Sequence, residues 1–493
     1  MTTVEGTPIG TVLAALAAAD PDRPAVISPT GTLTRQEFEL RTNRLARAYI
    51  ERGVTPDSFV TVLLPTGSAF LEAIVATWKA GATPQPVSHR LPARELREII
   101  QLADPSLVVG ADLPGRNSVP VDWSAPENTS GEPLPPMIAS SLKAPTSGGS
   151  TGRPKLIVST EPATAESLRN FAGLVRIGQA GTVLSTGPLS HNGPLLCDVS
   201  ALLTGCCVVL MERFDAATAL ALVERHGVDW MYSVPTMLRR IADLPEDVLA
   251  AADISSLRTV VTMAAACPPA LRAFCLDFFG PDVMLELYAA TEAHAVTITD
   301  GHGWLSHPGS VGRPVVGEIE IRGPDGSALP AGEVGELWMR RGPGETGPYR
   351  YVGAEPQQAT DGWETVGDLG YVDTEGFLHL ADRKSDMLLV GGSNVYPAEV
   401  ESALEEHPDV QAACVVGLPD DEYGNRIHAV LNVTGPVSDD ELTDHLRAAI
   451  APYKLPRSFE RTTEALRDEA GKMRRSRVRD EAVARATATR DSV

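Results

Sequence analysis

The chain has 493 residues, of which 43% are hydrophobic, 22% charged and 5% aromatic, a composition typical of a soluble globular protein of two to four domains. Its formal net charge of -22 repels phosphate backbones and anionic headgroups, which disfavours nucleic-acid and membrane partners. A bound nucleotide would therefore have to be held locally, by backbone amides and a few placed cations.

Lysine and cysteine usage narrow the possibilities further. Only six of the 42 basic residues are lysines, so we expect a surviving lysine to be one whose compact ammonium is needed. The six cysteines are scattered, with no pair at metal-ligand spacing, which disfavours disulfides and zinc. The N-terminal 20 residues carry no basic start and no long apolar run, so we expect a cytoplasmic protein without a signal peptide or membrane helix.

Up to about residue 290 the chain alternates buried strands with helical patterns. Ser58–Pro65 is predicted as a strand and Ser68–Ala80 as an amphipathic helix, whereas residues 111–143 are polar and rich in proline, typical of an irregular surface segment. Further strands are predicted at Pro105–Gly110, Gly181–Ser185, Cys206–Met211, Trp230–Val234, Leu257–Met263 and Val283–Tyr288. This βα alternation predicts the α/β class.

Two later regions have different patterns. From about Gly309, short strands punctuated by glycine, such as Gly317–Arg322 and Gly335–Arg340, indicate a small antiparallel barrel-like subdomain. After Asp382 the pattern predicts a separate small α/β module. Its elements are a helix at Pro397–Glu406, strands at Val410–Leu418 and Arg426–Val433, and a helix at Ser438–Ala449.

A loop rich in glycine and hydroxyl side chains precedes the apolar run at 156–158. It reads TSGGSTGRPK over residues 146–155, and such a loop can turn several backbone amides, hydroxyls and one ammonium toward a phosphate. The residues expected to bind ATP here are Ser147, Gly148, Gly149, Ser150, Thr151, Gly152 and Lys155. It is not a Walker loop, because Arg153 and Pro154 follow Gly152 and a helix cannot begin cleanly at that point.

This string resembles the T-S-G-T/S-T-G-x-P-K signature of the adenylate-forming (ANL) superfamily, which includes acyl-CoA and aryl-CoA ligases, peptide-synthetase adenylation domains and luciferases. Gly148 stands where serine is common, a variant associated with some bacterial acyl-CoA ligases. Further family-like motifs follow in the family's order along the whole chain. The resemblance implies a large N-terminal domain of stacked mixed sheets with helices, the barrel-like subdomain, and a small mobile C-terminal α/β domain.

The segment YAATE at 288–292 resembles the family's Y-G-x-T-E. The resemblance implies that Tyr288 flanks the adenine, that Thr291 binds the α-phosphate and that Glu292 holds Mg²⁺, for which a carboxylate is a suitable ligand. Taken alone, the Thr-Glu pair is equally typical of a helix cap. Asp368, in VGDLG, resembles the aspartate that accepts both ribose hydroxyls, and Arg383 resembles an arginine that also reaches the ribose.

The resemblance also places a hinge and a second-step loop. The hinge between the domains is usually Asp or Lys and here is Ser385, so we expect an N-terminal domain of 1–382, a hinge at 383–385 and a mobile domain of 386–493. In the ligases the next loop lines the pantetheine tunnel during thioester formation; its residues here are Gly391, Gly392, Ser393 and Asn394. From the residues alone, Gly391 and Gly392 also read as a hairpin turn before a helix started by proline.

GKMRR at 471–475 resembles the family's C-terminal G-K-x-x-R, whose lysine bridges the carboxylate and the α-phosphate. Lys472 is therefore the expected catalytic cation, since a positive charge between two anions lowers their repulsion. The usual L-P-R-T before this motif reads ALRD, with Leu466 in place of proline. Without the resemblance, this stretch would read as a solvated basic tail.

The acid pocket is assigned by resemblance to three segments. His191, followed by Asn192, corresponds to the residue that gates the pocket, although it could instead be a core-facing histidine at a strand end. Residues 262–268 correspond to the G-G-A-P segment along substrate and adenine, where the expected contacts are Met263, Ala264 and Ala265. Met263 and Ala289 both replace common glycines, so we expect a pocket for an acid smaller or flatter than a long-chain fatty acid.

These motifs predict an ATP- and Mg²⁺-dependent, AMP-forming ligase that adenylates a small acyl or aryl acid and transfers it to a thiol, with coenzyme A as the expected acceptor. Within the family, two other acceptors remain alternatives to coenzyme A: a carrier-protein thiol and an amine. The activated oxyanion could also be nitrite, as in a diazo-forming enzyme of secondary metabolism. A P-loop kinase is disfavoured by Pro154, and a non-catalytic module by the retained Glu292 and Lys472. We expect a stand-alone monomer or homodimer.

Overall fold

The computed structural model describes residues 5–148, 154–345, 347–359, 362–390, 393–420, 424–468, 471–473 and 475–490. The elements of the first 160 residues are α1 (Ile9–Ala19), β1 (Pro24–Ser28), β2 (Gly31–Thr34), α2 (Arg35–Glu51), β3 (Phe59–Val62), α3 (Ser68–Lys79), β4 (Thr83–Pro86), α4 (Ala93–Ala103), β5 (Leu107–Val109), β6 (Ser118–Val119), β7 (Thr146–Gly148) and β8 (Pro154–Ser159). Among the described helices, none is both long and apolar enough to span a bilayer.

The middle of the chain continues the βα alternation. Its elements are α5 (Ala165–Leu174), β9 (Thr182–Ser185), α6 (Asn192–Leu203), β10 (Cys207–Leu210), α7 (Ala216–His226), β11 (Trp230–Ser233), α8 (Pro235–Ala242), α9 (Glu246–Ala251), β12 (Thr259–Thr262), α10 (Pro269–Phe278), β13 (Met284–Ala289), β14 (Val296–Asp300) and α11 (Gly301–Ser306). Short strands then follow: β15 (Arg313–Val316), β16 (Glu318–Arg322), β17 (Gly335–Arg340), β18 (Tyr349–Val352), β19 (Gln357–Gln358), β20 (Glu364–Val372) and β21 (Leu378–Arg383).

The C-terminal elements are β22 (Leu388–Val390), β23 (Ser393–Val395), α12 (Pro397–Glu405), β24 (Val410–Asp420), β25 (Gly424–Val433), α13 (Asp439–Ala449), a 3₁₀ turn (Pro452–Lys454), β26 (Ser458–Arg461) and α14 (Arg475–Arg490). β24, β25 and β26 form one sheet, and β22 pairs with β23 as a hairpin. This part of the chain has its own apolar clusters, around Leu404 and Leu446 and around Cys414 and Val478.

A nine-stranded sheet forms the centre of the large domain, in the order β15-β14-β13-β12-β11-β9-β10-β1-β2. Its central pairs are parallel and its edge strands are antiparallel. The carboxyl ends of parallel strands meet at one edge, where ligands bind in open α/β sheets. The segments after Ser185, Thr262 and Ala289 are thereby brought together.

Two smaller antiparallel sheets border that edge. β18-β8-β7 joins the strands on either side of the glycine-rich loop to a strand nearly 200 residues later in the chain. β16, β17, β19, β20 and β21 form the second sheet, in which Asp368 of β20 lies directly opposite Arg383 of β21.

The mixed α/β fold with a small C-terminal α/β module is confirmed, and the predicted strands occur with ends shifted by at most three residues. The interpretation of 471–475 as a solvated basic tail is wrong at Arg475, which is largely buried, pairs with Glu401 and Asp386, and begins helix α14. Val478 and Ala482, four residues apart, pack on Cys414 and Val416 of β24. Its many arginines hid this narrow apolar stripe.

Candidate functional site

The strands beside the glycine-rich loop are paired with each other. Ser147 lies opposite Lys155 and Gly148 lies opposite Pro154 in an antiparallel pair, so a strand rather than a helix follows the loop, as predicted. Gly149, Ser150, Thr151 and Gly152 lie outside the described residues. Lys155, in the strand that follows the loop, contacts Glu292, which comes just after β13 of the large sheet.

Glu292 lies in a turn between β13 and β14, so the helix-cap alternative for the Thr-Glu pair is wrong. Its side chain is buried, and its Oε1 atom accepts a hydrogen bond from the Tyr351 hydroxyl at 2.6 Å. Lys155 Nζ lies 3.4 Å from the same oxygen and 3.7 Å from the centroid of the Tyr351 ring. Thr291 is half-buried beside them.

This arrangement suits a hard cation, because Mg²⁺ prefers carboxylate oxygen and keeps most of its other ligands as water and phosphate oxygen. Both contacts of Glu292 fall on Oε1, and no hydrogen bond between described residues uses Oε2. No cluster of three His, Cys, Asp or Glu side chains suited to a metal occurs in the described part of the chain. A metal at this point would therefore depend on Glu292 and on a bound triphosphate.

The ribose-binding candidates are also in contact with one another. Tyr288 donates its hydroxyl to Asp368 Oδ2 at 2.7 Å, and Arg383 Nε lies 3.2 Å from Asp368 Oδ1. Each oxygen of the Asp368 carboxylate therefore accepts from one protein donor. The same two oxygens could accept hydrogen bonds from two ribose hydroxyls. Burial, and then the charge of Asp368, raises the pKa of the Tyr288 hydroxyl, so it stays a donor.

Lys472 comes to the same place from the small domain. Its backbone N–H donates to Asp468 Oδ1 at 2.9 Å, and Gly471 adopts a positive φ of 77° that favours glycine. Gly471 packs on Val234 and Thr236 of the large domain. Lys472 as a whole is exposed to solvent. Desolvation between the domains, then the charge of Arg383, lowers the Lys472 pKa, while Asp468, Glu292 and Asp368 oppose that change.

Ser385, the predicted hinge residue, and the described part of the predicted loop for thioester formation form no hydrogen bond or ion pair with Glu292 or Asp368. Ser385 is exposed, and its hydroxyl bonds Asp386 Oδ1 at 3.1 Å. Gly391 and Gly392 lie outside the described residues, whereas Ser393 and exposed Asn394 belong to β23. β22 and β23, on either side of Gly391 and Gly392, pair antiparallel.

The candidate acid pocket lies at the N-terminus of α6. Half-buried His191 precedes this helix, and the Asn192 side-chain oxygen is buried without a hydrogen-bond partner among the described residues. A Cβ on Gly193 would lie 2.9 Å from Met263 Sδ and 3.4 Å from the Tyr232 ring. Met263 therefore packs directly over the start of α6 and narrows the space there.

The G-G-A-P-like segment keeps a glycine-type backbone without glycine. Exposed Ala264 has a φ of 77° and half-buried Ala265 follows it, while Ala289 ends β13 and is exposed. An alanine in the left-handed region costs roughly 1 kcal/mol relative to glycine. This left-handed turn is therefore adopted here at the expense of some strain.

Behind the pocket, α6 carries a buried acid that the sequence reasoning missed. Asp198 is fully buried, and neither of its oxygens has a hydrogen-bond partner among the described residues. Burial raises the Asp198 pKa to about 7; the nearby Ser185 hydroxyl opposes this but falls short of hydrogen-bond geometry. Burial, then Cys197 and Asp198, raises the pKa of Tyr232. The available signal was its setting, because Pro194, Leu195, Ala201 and Leu202 lie three or four residues away and are apolar, which is typical of a buried helix.

Two residues near Glu292 were also missed. Tyr351 contacts both Glu292 and Lys155, and the alternation of Tyr349 and Tyr351 in a strand was the signal available. Buried Lys143 is one of the six lysines; burial lowers its pKa to about 8, and Glu161 and Glu292 oppose that change. The rarity of lysine was the only sign of it.

The structure thus brings Lys155, Glu292, Asp368 and, from the C-terminal module, Lys472 toward one edge of the large sheet, an arrangement typical of the class of adenylate-forming enzymes. Comparison with known proteins agrees: the AMP-binding enzyme model matches residues 13–349. The AMP-binding enzyme C-terminal domain model matches residues 399–472. The chain belongs to the AMP-binding enzyme family and is an AMP-forming ligase of the acyl-CoA synthetase type.

Relatives match along nearly the whole length. Feruloyl-CoA synthase of Amycolatopsis sp is 32% identical over 93% of this chain and 97% of its own. The structure of o-succinylbenzoate CoA synthetase (MenE) from Bacillus subtilis with its acyl-adenylate intermediate is 27% identical with a TM-score of 0.81, covering 97% of this chain and 99% of that chain. The same enzyme is also known with ATP and magnesium ion. Amide bond synthetase McbA from Marinactinospora thermotolerans is 26% identical with a TM-score of 0.78, covering 96% of this chain and 100% of that chain.

Proposed function

We propose that this enzyme adenylates a small acyl or aryl acid with ATP, releases pyrophosphate and then transfers the acyl group to coenzyme A. The observation that carries this proposal is the position of Lys472, which follows Gly471 where that residue packs on Val234 and Thr236 of the large domain. From there Lys472 interacts electrostatically with Glu292 and Asp368. A mobile lysine beside a ribose-type acceptor and a metal-type carboxylate is the arrangement that adenylation needs.

In the first step, Asp368 and Arg383 hold the ribose, Tyr288 and Ala265 flank the adenine, and the loop ending at Lys155 binds the phosphates. Bound Mg²⁺ would neutralise phosphate charge as pyrophosphate leaves. Glu292 would hold that ion, and Thr291 would bond the α-phosphate.

Lys472 stands between the acid's carboxylate and the α-phosphate and lowers their repulsion as the carboxylate oxygen attacks phosphorus. Desolvation and then the charge of Arg383 lower the Lys472 pKa, while the carboxylates of Asp468, Glu292 and Asp368 favour its ammonium form. No side chain needs to become covalently modified in this step.

The second step, thioester formation, requires a different orientation of the small domain. We propose a rotation about Ser385, with 1–382 and 386–493 as the two bodies, that withdraws Lys472 and brings Gly391, Gly392, Ser393 and Asn394 to the thiol path. The separate apolar clusters of the small domain support its movement as a unit. Exposure of Ser385 is compatible with a change of backbone angles there.

The acid is proposed to be small or flat, because Met263 packs over Gly193 at the helix that carries His191 and Asn192. The test is pyrophosphate release with ferulate, 2-succinylbenzoate, medium-chain fatty acids and nitrite, each with and without coenzyme A. We expect one aryl or short acyl acid to be adenylated, with full turnover requiring coenzyme A.

An amine acceptor is the second candidate, because the amide bond synthetase shares the fold across nearly the whole chain. An amine arm in the same assay distinguishes the two. Turnover that follows the amine and ignores coenzyme A would overturn the thioester step but retain adenylation. ADP in place of AMP would overturn adenylation itself.

A further inference from the structure

One face of the small β18-β8-β7 sheet is polar and points at the phosphate side of the site. Tyr349 lies opposite Ser159 and Tyr351 lies opposite Ile157, in the strand that also carries Lys155. Side chains of paired residues share a face, and alternate residues return to it. Tyr349, Tyr351 and Lys155 therefore occupy one face, whereas the opposite face packs into an apolar cluster with Leu156 and Val158.

Tyr351 contacts Glu292 through its hydroxyl and Lys155 through the face of its ring. The hydroxyl donates to Glu292 Oε1 at 2.6 Å, and the ring face lies 3.7 Å from Lys155 Nζ. Lys155 and Glu292 themselves are 3.4 Å apart, longer than a well-formed ammonium–carboxylate hydrogen bond. The tyrosine, rather than their mutual contact, makes the shorter bond to the carboxylate.

We propose that Tyr351 is a positioning residue that fixes Glu292 and Lys155 in the orientation that MgATP requires. Its hydroxyl occupies Oε1 of Glu292 and so directs Oε2 to the metal, while its ring restricts where the flexible Lys155 side chain can place its ammonium. This role rests on the proposed binding of ATP and Mg²⁺ at this site.

The neighbouring tyrosine serves a different cluster. Tyr349 donates to Glu364 Oε2 at 2.5 Å, and His294 Nε2 lies 2.8 Å from the same oxygen. The Tyr349 and Tyr351 rings meet edge to face with centroids 4.7 Å apart. Tyr349→Phe therefore removes a similar hydroxyl from the same strand without removing a bond to Glu292, which makes it the matched control.

The experiment measures MgATP binding by calorimetry while Mg²⁺ is titrated, so it needs no acid substrate. We expect Tyr351→Phe to raise the half-saturating Mg²⁺ concentration about tenfold, because a hydrogen bond to a charged group is lost. Tyr351→Leu should also weaken ATP binding by roughly a further threefold, because Lys155 loses the ring. Tyr349→Phe should stay within about twofold of the wild type.

A double-mutant cycle identifies the route of the effect. If the hydroxyl acts through Glu292, Tyr351→Phe should change the Mg²⁺ midpoint little in a Glu292→Gln background. An unchanged midpoint in Tyr351→Phe, equal losses in Tyr351→Phe and Tyr349→Phe, or additive effects in the cycle would each overturn the positioning role. A wild-type protein that binds no MgATP would instead overturn the proposed function, and this role with it.

Discussion

The phosphate side and the acid side of the site are built differently. On the phosphate side, Glu292 has Tyr351 and Lys155 as partners and Asp368 has Tyr288 and Arg383. On the acid side, buried polar atoms lack partners among the described residues; they belong to Ser185, Asn192, Asp198 and Thr262. Both sides lie at the carboxyl edge of the nine-stranded sheet.

The difference indicates which half is preorganised. Paired charges hold their positions before a ligand arrives, which suits a triphosphate that is the same in every turnover. Unpaired buried polar groups cost free energy and are retained where a ligand or another conformation can satisfy them. The acid is the part of the reaction that varies among relatives, and it faces the half of the site whose buried polar groups are unpaired among the described residues.

Removing the mobile cation should have the largest effect. Lys472→Ala is expected to slow adenylation about a thousandfold, since the attacking and receiving anions lose the charge between them. Thioester formation from a supplied acyl adenylate should continue. Pyrophosphate release and thioester formation measured separately check this, with the neighbouring Met473→Ala as control. Equal loss in both half-reactions would contradict the role of Lys472.

On the phosphate side, the pairing can be disrupted by replacing the Glu292 carboxylate. Glu292→Gln should raise the Mg²⁺ requirement for ATP binding by roughly ten- to a hundredfold, because the buried carboxylate charge is lost beside Lys155. A Mg²⁺ titration of ATP binding measures it. A wild-type titration curve would show that the metal is held elsewhere. Asp368→Asn, which leaves Glu292 in place, should leave the Mg²⁺ midpoint nearly unchanged while weakening nucleotide binding.

On the acid side, the unpaired carboxyl group of Asp198 should make the stability of the protein depend on pH. Because burial raises the Asp198 pKa to about 7, the folded protein retains a proton that the unfolded chain releases near pH 4. Stability from this group is therefore complete below pH 4 and is lost as the pH rises through 7. Asp198→Asn should melt several degrees above the wild type at pH 8 and close to it at pH 4.5. Thermal melts at both pH values measure this, and an equal shift at both would exclude titration of Asp198 as the cause.

The smallest effect is expected at the strained turn. Ala264→Gly should raise the free energy of unfolding by up to about 1 kcal/mol, because glycine adopts a φ of 77° without steric cost. Ala266→Gly is the control, since Ala266 is not among the residues with positive φ and should lose stability instead. Denaturant melts of both variants test this, and a loss in Ala264→Gly would remove the strain argument.

Motif residues were predictable because their chemistry requires fixed residue types in a fixed order. Glu292, Asp368 and Lys472 were named as candidates through their resemblance to the family's motifs, although 180 residues separate the first from the last. Tyr351 and Asp198 were not found, because each lies in an ordinary strand or helix. Their significance depends on burial and on neighbours distant in the chain.

The sequence by itself predicted the βα alternation, since hydrophobic period acts locally. Resemblance to the family's motifs, rather than local pattern, named the candidate phosphate loop and the candidate site residues. Only the tertiary structure decided that Tyr351 stands between Lys155 and Glu292, and that Met263 covers Gly193. It also decided that Asp198 is buried without a partner among the described residues. Burial and pairing are set by contacts between strands and helices far apart in the chain, which a local pattern does not encode.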